Sequence, residues 1–200
     1  MTVLQIITQV SNSRKKILKH IKTNRFIKKR ISISLMNFRK AKNEEAGDIL
    51  ALYRSVVGLP FCVWDDYPGE PEIQGDLAAG TLFVLEQDSE LLGAISIVPE
   101  NEMDDLDCWK VNEGAREFAR VVIAPKHQGE GLSRVLLDGI WKEFIKLGVP
   151  SVHISVAKVN IPAQKLYRRF GFEFCGEKDM YGSSYFLREK LVREESAHKG

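Results

Sequence analysis

Apolar positions along this chain switch between a period of three to four and a period of two, and the switches mark its elements. Ala46, Ile49, Leu50, Leu52, Tyr53, Val56 and Val57 recur at helical spacing behind the acidic pair Glu44 and Glu45. This predicts an amphipathic helix over 43–57, stopped near Gly58 and Pro60. Apolar, β-branched runs at 82–86 and 91–98, separated by Gln87-Asp88-Ser89-Glu90, predict an antiparallel hairpin. Further strands are expected at 38–41, 118–123, 152–156, 172–176 and 185–189, and a short helix at 73–79 ahead of Gly80. Two of the strands lead into helices. The first helix spans 132–147 with Val135, Leu136, Ile140 and Phe144 inward and Gly148 as its stop. The second starts at Asn160 or Ile161, carries Pro162 in its first turn and Ala163, Leu166, Tyr167 and Phe170 inward, and ends at Gly171. No segment repeats at a fixed period, so the pattern predicts a single mixed α/β domain.

Composition narrows the class. The 200 residues are 44% hydrophobic and 28% charged, which is globular and excludes collagen, coiled coil or disorder for the chain as a whole. No uncharged run approaches the roughly 18 apolar residues of a membrane span, so no span is expected. Cys62, Cys108 and Cys175 are sparse and lack CxxC spacing, so no disulfide framework and no metal site is expected, and a cytoplasmic location fits best. Charge is uneven: residues 1–43 carry twelve Lys or Arg and no acid, although the chain as a whole has a net charge of only +2. The uncharged start followed by the basic run 14–30 reverses the order of a secretory signal. Ile17, Leu18, Ile21, Phe26 and Ile27 form a loose apolar face among the lysines, open to an anionic lipid or RNA surface or to a plain solvated arm. No specific nucleic acid is predicted. The expected organisation is a basic extension at 1–36 (an upstream-start artefact or a disordered arm), a domain at 37–192 and a polar tail at 193–200.

Candidate chemistry concentrates in Gln128-Gly129-Glu130-Gly131-Leu132-Ser133-Arg134, between a predicted strand and a predicted helix. Glycines there allow successive backbone N–H groups to converge, and a helix N-terminus adds partial positive charge, an arrangement suited to pyrophosphate. The run lacks the Gly-Lys-Ser/Thr of a nucleotide-hydrolysing loop, the third glycine of a dinucleotide fingerprint and the G-x-S-x-G of a serine elbow.

The run resembles motif A of the GNAT acetyltransferase superfamily, Q/R-x-x-G-x-G/A, on Gln128, Gly131 and Ser133, with Ser replacing the final Gly or Ala. Asn160, Ala163, Leu166, Tyr167, Gly171 and Phe172 similarly match motif B, N-x-x-A-x-x-L-Y-x-x-x-G-F, about 30 residues on. The likeness runs from roughly residue 38 to 191, and bacterial members share Cys62-x-Trp64, Tyr67-Pro68 and Asp179-Met180-Tyr181-Gly182. It implies a mixed, mostly antiparallel central sheet with flanking helices and a splayed parallel strand pair, at 118–123 and 152–156.

By the same resemblance, acetyl-CoA is the co-substrate, its pantetheine bonded to the backbone of Val121, Val122 and Ile123 and its pyrophosphate to Gln128, Gly129, Glu130, Gly131, Leu132, Ser133 and Arg134. Asn160 is a cofactor contact or merely the helix cap. An amine from a small molecule or peptide would attack the thioester directly, through a tetrahedral intermediate. Tyr167 is the expected general acid, and Glu117 the base or else a surface acid at the strand edge, with a water relay as another route for the proton. The acceptor would lie between 61–72 and 177–184, where Trp64, Asp65, Tyr67 and Tyr181 suit a cation or simply pack and face water. A second function class remains open: a noncatalytic acyl-CoA-binding or nucleic-acid-associated protein using the basic arm. Either a monomer or a homodimer fits.

Overall fold

A computed structural model describes residues 36–98 and 106–192. The expected basic arm over residues 1–35 and the polar tail lie outside the described residues. Described strands are β1 (Asn37–Lys40), β2 (Leu82–Gln87), β3 (Glu90–Val98), β4 (Arg116–Ile123), β5 (Ser151–Ala157), β6 (Glu173–Met180) and β7 (Ser183–Leu191). The helices are α1 (Ala46–Arg54), α2 (Glu70–Ala79), α3 (Leu132–Lys146) and α4 (Ile161–Phe170).

The strands form one sheet in the order β1-β2-β3-β4-β5-β7-β6. Every neighbouring pair is antiparallel except β4 and β5. Those two pair only through Arg116 with Val152 and Glu117 with His153. Beyond that point β5 stays paired with β7 as far as Ala157, while β4 leaves. The cause is a bulge: between partners Ala94 and Ser96 of β3, β4 spans from Val122 to Ala119 and so carries one residue too many. Arg120, inside it, adopts a left-handed φ of 54°. A bulge bends its strand and increases local twist, and here it turns β4 away from β5.

Two cores sandwich the sheet. On one side, α1 and α2 pack Ile49, Leu52, Tyr53, Ile73 and Leu77 against Leu82, Val84, Ala94 and Val122. On the other, α3 buries Leu136, Leu137, Ile140 and Phe144. There Phe118 meets Phe144, Tyr167 and Phe172 at ring separations of 6.5, 5.6 and 5.8 Å. Close approach of α3 to β1 requires Gly139, since a Cβ there would lie 2.5 Å from the Phe38 ring.

Three boundaries differ from the pattern prediction. The helix expected over 43–57 is a 3-10 turn at Asn43–Glu45 followed by α1, which ends at Arg54. Beyond it, the Ser55 hydroxyl donates to Leu52 O at 2.6 Å, a local bond that competes with helix continuation. Helix α2 begins before Ile73, because Glu72 accepts from the Gly69 N–H at 2.7 Å and Pro71 occupies the first turn. β6 and β7 run on to a two-residue turn, Tyr181 and Gly182, at φ 50° and 72°. Glu177, Lys178 and Asp179 conceal this extension, being polar as suits an edge strand.

Candidate active site

Departure of β4 from β5 leaves one edge of β4 without a strand partner. Ala124 N–H donates to Leu92 O on the β3 side at 2.9 Å. Backbone groups alternate in direction along a strand, so Val122 also faces β3 while those of Val121 and Ile123 face the gap. Gln128 turns the following loop back on the strand by donating from Nε2 to Ile123 O at 3.2 Å.

The loop itself has the geometry its glycines foretold. Gly129 and Gly131 take φ values of 81° and 86°, a region most side chains avoid. Gly131 is the N-cap of α3, no side chain caps that end, and its first turn holds no acid. The helix therefore presents uncompensated N–H groups and its positive dipole end beside the loop. Arg134 lies one turn in, stacked 4.5 Å from the Phe170 ring and bonded to Asp138 at 2.9 Å. Glu130 pairs with His127 at 3.3 Å, and His127 in turn with Glu90 at 3.1 Å, so this acid is bound to its neighbours. Leu132 is buried and Ser133 half-buried at the start of the helix.

Glu117 lies where β4 and β5 still pair, and Tyr167 on α4 lies within its field. Tyr167 is only 6% exposed, clamped between Phe118 and Phe172. Burial first, and then the field of Glu117, hold its phenol above the ordinary tyrosine range, so it remains protonated at neutral pH. Glu117 is 8% exposed, which removes the surface-acid reading. Asn160 acts as a helix cap: its Oδ1 accepts from Ala163 N–H at 3.1 Å, and its amide NH2 is not used in that bond.

The acceptor side is rearranged relative to expectation. Trp64 turns inward, 5.8 Å from the Tyr53 ring in an edge contact. Asp65 is occupied by the Asp66 N–H at 2.7 Å. Tyr181 is 73% exposed on its turn. Tyr67 is the expected residue that joins a polar cluster. Its hydroxyl accepts from Arg120 Nε at 2.8 Å, and Arg120 also pairs with Asp76 at 2.7 Å. Tyr53 donates to Arg120 O at 2.8 Å. Burial raises the Tyr67 phenol while Arg120 pulls it the other way. Tyr185, at the start of β7, is raised by its own burial and by Tyr67. Arg120, Asp76, Tyr53 and Tyr185, which join Tyr67 in this cluster, were not among the expected residues; the one sequence signal is a charged residue inside the apolar run 118–123.

Among the described residues no group of three His, Cys, Asp or Glu side chains is placed to hold a metal ion, and no helix is long and apolar enough to cross a membrane.

The family model for the acetyltransferase (GNAT) family matches residues 49–172, more than half of the chain. The chain belongs to the GNAT family. Among curated proteins, this GNAT chain is 34% identical over 71 residues to a spermine/spermidine N(1)-acetyltransferase of Bacillus subtilis, covering 35% of the chain and 47% of that protein. It is 39% identical over 56 residues to a streptothricin acetyltransferase of Streptomyces lavendulae, covering 28% of the chain and 30% of that protein. The chain thus spans less than half the length of the curated relatives it matches. Among solved structures, a GNAT-family acetyltransferase of Streptococcus agalactiae superposes with a TM-score of 0.68 at 20% identity, over 80% of this chain and 96% of the other. The yncA protein of Salmonella typhimurium, solved with its cofactor acetyl-CoA, gives 0.64 at 19% identity, over 81% and 96%. These neighbours share the overall fold. GNAT membership assigns acetyl-CoA as the co-substrate, and the open β4 edge, the two left-handed glycines and the uncapped end of α3 fit a pantetheine chain and a pyrophosphate.

Proposed function

We propose that this GNAT chain transfers acetyl from acetyl-CoA to a primary amine of a small molecule or peptide, by direct attack through a tetrahedral intermediate. One observation carries the reading: beside the strand gap a buried tyrosine, held protonated, lies within the field of a buried carboxylate, Glu117. In the proposed geometry the thioester lies in the gap, held by the backbone of Val121 and Ile123, with the pyrophosphate over Gly129 to Arg134.

An alkylamine, with a pKa of about 10, arrives protonated at neutral pH and must lose a proton before its lone pair attacks. Glu117 takes that proton. The nitrogen then bonds to the carbonyl carbon and sheds its second proton to water, and collapse of the intermediate breaks the carbon–sulfur bond. The leaving thiolate is protonated by the Tyr167 hydroxyl. Tyr67, held by Arg120, orients the acceptor. The Bacillus subtilis and Streptomyces lavendulae relatives, by their names, act on a polyamine and on streptothricin, which supports a small amine here. Sparse, unpaired cysteines support a cytoplasmic setting.

Titration calorimetry with acetyl-CoA, followed by an amine panel scored for release of free CoA thiol, tests the reading. Binding with amine-dependent thiol release is expected. No binding at about 1 mM, or binding with no release for polyamine, amino-acid, antibiotic and peptide amines, would overturn it.

A further inference from the structure

A row of buried ionisable side chains crosses the sheet beside Glu117 and is unused in the reaction as derived. Glu117 on β4 is in register with His153 on β5, and His153 with Glu189 on β7. Cross-strand partners project to the same face, so the three lie side by side. They are 8%, 2% and 2% exposed. Such groups are tolerated in an interior only when charge and hydrogen bonds are matched.

At Glu189 the matching is explicit. Its carboxylate accepts from the backbone N–H of Lys110 at 2.9 Å and of Val111 at 3.0 Å, and from the Ser151 hydroxyl at 2.8 Å. Burial pushes its pKa up, but these donors outweigh it and hold the group below the ordinary carboxylate range. His153 Nε2 lies 2.9 Å from Val111 O and 3.5 Å from Glu189 Oε1. A carbonyl only accepts, so Nε2 carries a hydrogen. Nδ1 is then the atom on which the ring gains or loses its proton. Trp109 lies parallel over the ring at 4.0 Å and fixes its plane.

We propose that Glu117 and His153 form a coupled proton-sharing pair braced by Glu189, with His153 a positioning residue that sets the ionisation of the base. The proposal rests on the acetyl-transfer reading above. A proton taken by Glu117 from the acceptor ammonium is shared with His153 Nδ1, the resulting imidazolium facing Glu189; no other bond forms or breaks. A carboxylate beside an imidazole titrates as a coupled unit, so the pair, rather than Glu117 alone, governs the ionisation of the base.

Groups facing His153 are Glu117 from β4, Glu189 from β7, Ser151 along β5, and Trp109 with Val111 from the covering segment. Cys108 and Cys175 lie within the field of Glu189, and burial first raises both thiols, Cys175 to about 11. The Lys110 ammonium is paired with Glu173. Of these described groups the imidazole is the one whose ordinary pKa lies near neutrality.

The test follows His153 by NMR in the full-length, unliganded protein with 15N-labelled histidine, comparing the parent chain with Glu117→Gln. Loss of the neighbouring carboxylate should lower the apparent His153 pKa by about one unit, tenfold in proton affinity. Superimposable titrations would overturn the pair, whether or not any amine is acetylated. In a second arm, His153→Gln retains a donor for Val111 O but cannot titrate. The acid limb of its kcat/KM profile should move down by about one pH unit, toward a lone carboxylate, and an unmoved limb would also overturn the proposal. Absence of thiol release from the parent chain with every amine would instead overturn the acetyl-transfer reading and leave the NMR comparison to decide the pair.

Discussion

The cofactor wall and the acceptor wall of the gap are built from opposite kinds of sequence. Residues 118–134 supply the proposed cofactor wall as one continuous run: strand, loop and helix start, each shaped by its own neighbours. The proposed acceptor wall draws Tyr53, Tyr67 and Asp76 from three separate elements or loops and ties them to Arg120 of that run by individual hydrogen bonds. A local wall is specified by backbone conformation and fails through it. An assembled wall depends on individual hydrogen bonds, so it should fail in smaller steps.

The closed end, where both walls meet, should give the largest effect. Tyr167→Phe removes one hydroxyl from a ring already held by Phe118 and Phe172. Turnover should drop roughly 10- to 1,000-fold with acetyl-CoA affinity nearly constant, read by steady-state kinetics alongside calorimetry. Retained turnover would show that the leaving thiolate finds its proton elsewhere.

Next comes the local wall. Gly131→Val forces a β-branched side chain into a φ of 86° at the N-cap of α3. The acetyl-CoA dissociation constant should rise tenfold or more, about 1.4 kcal/mol, while thermal melting still shows a folded domain. Equal affinity in the folded variant would remove the loop from the site.

On the assembled wall, Tyr67→Phe deletes a single acceptor for Arg120 Nε. KM for the acceptor should rise by about threefold, in keeping with a net hydrogen-bond contribution of ~0.5–1.5 kcal/mol, with acetyl-CoA affinity unchanged. A change confined to the cofactor would reverse the assignment of the two walls.

The smallest effect lies outside both. Glu189 has a lowered pKa, so its contribution to stability is present above the ordinary carboxylate value of 4.5 and is lost as pH falls through the folded value. Urea melts should show Glu189→Gln less stable than the parent chain at pH 7, with the difference shrinking on acidification. A constant difference across that range would mean Glu189 contributes by packing alone.

This contrast explains what could be read from the chain beforehand. Gly129, Gly131, the flanking strand and helix, and the tyrosine of the second helix stand in motifs of local spacing, and the sheet with its parallel pair was what the resemblance carried by those motifs implied. Asn160 was readable in two ways, and its bond to Ala163 N–H favours the cap. Trp64 and Asp65 were proposed from a turn-rich aromatic and acidic loop, and the fold adds a Tyr53 contact for one and a bond from the Asp66 N–H for the other. Arg120 was hidden for a stricter reason. Its direction depends on a bulge defined by the register of β3, a relation between residues some twenty-five positions apart that no periodicity within β4 contains. His153 and Glu189 were equally silent, as polar interruptions in strands whose partners emerge only when β4, β5 and β7 are laid side by side.

The bulge also works as a joint. The residue that bends β4 outward has its carbonyl pinned by Tyr53 of α1 and its guanidinium pinned by Tyr67 and by Asp76 of α2. The bent strand beside the gap and the segment 67–76 are therefore tied to the same residue, Arg120. A molecule that wedges the gap should stiffen residues 67–76 without touching them, and by reciprocity an acceptor that braces that loop should tighten the grip on the cofactor. Slower amide exchange at 67–76 on addition of acetyl-CoA alone is the sign by which such a hinge would announce itself, and unchanged exchange would show the two walls to be mechanically separate.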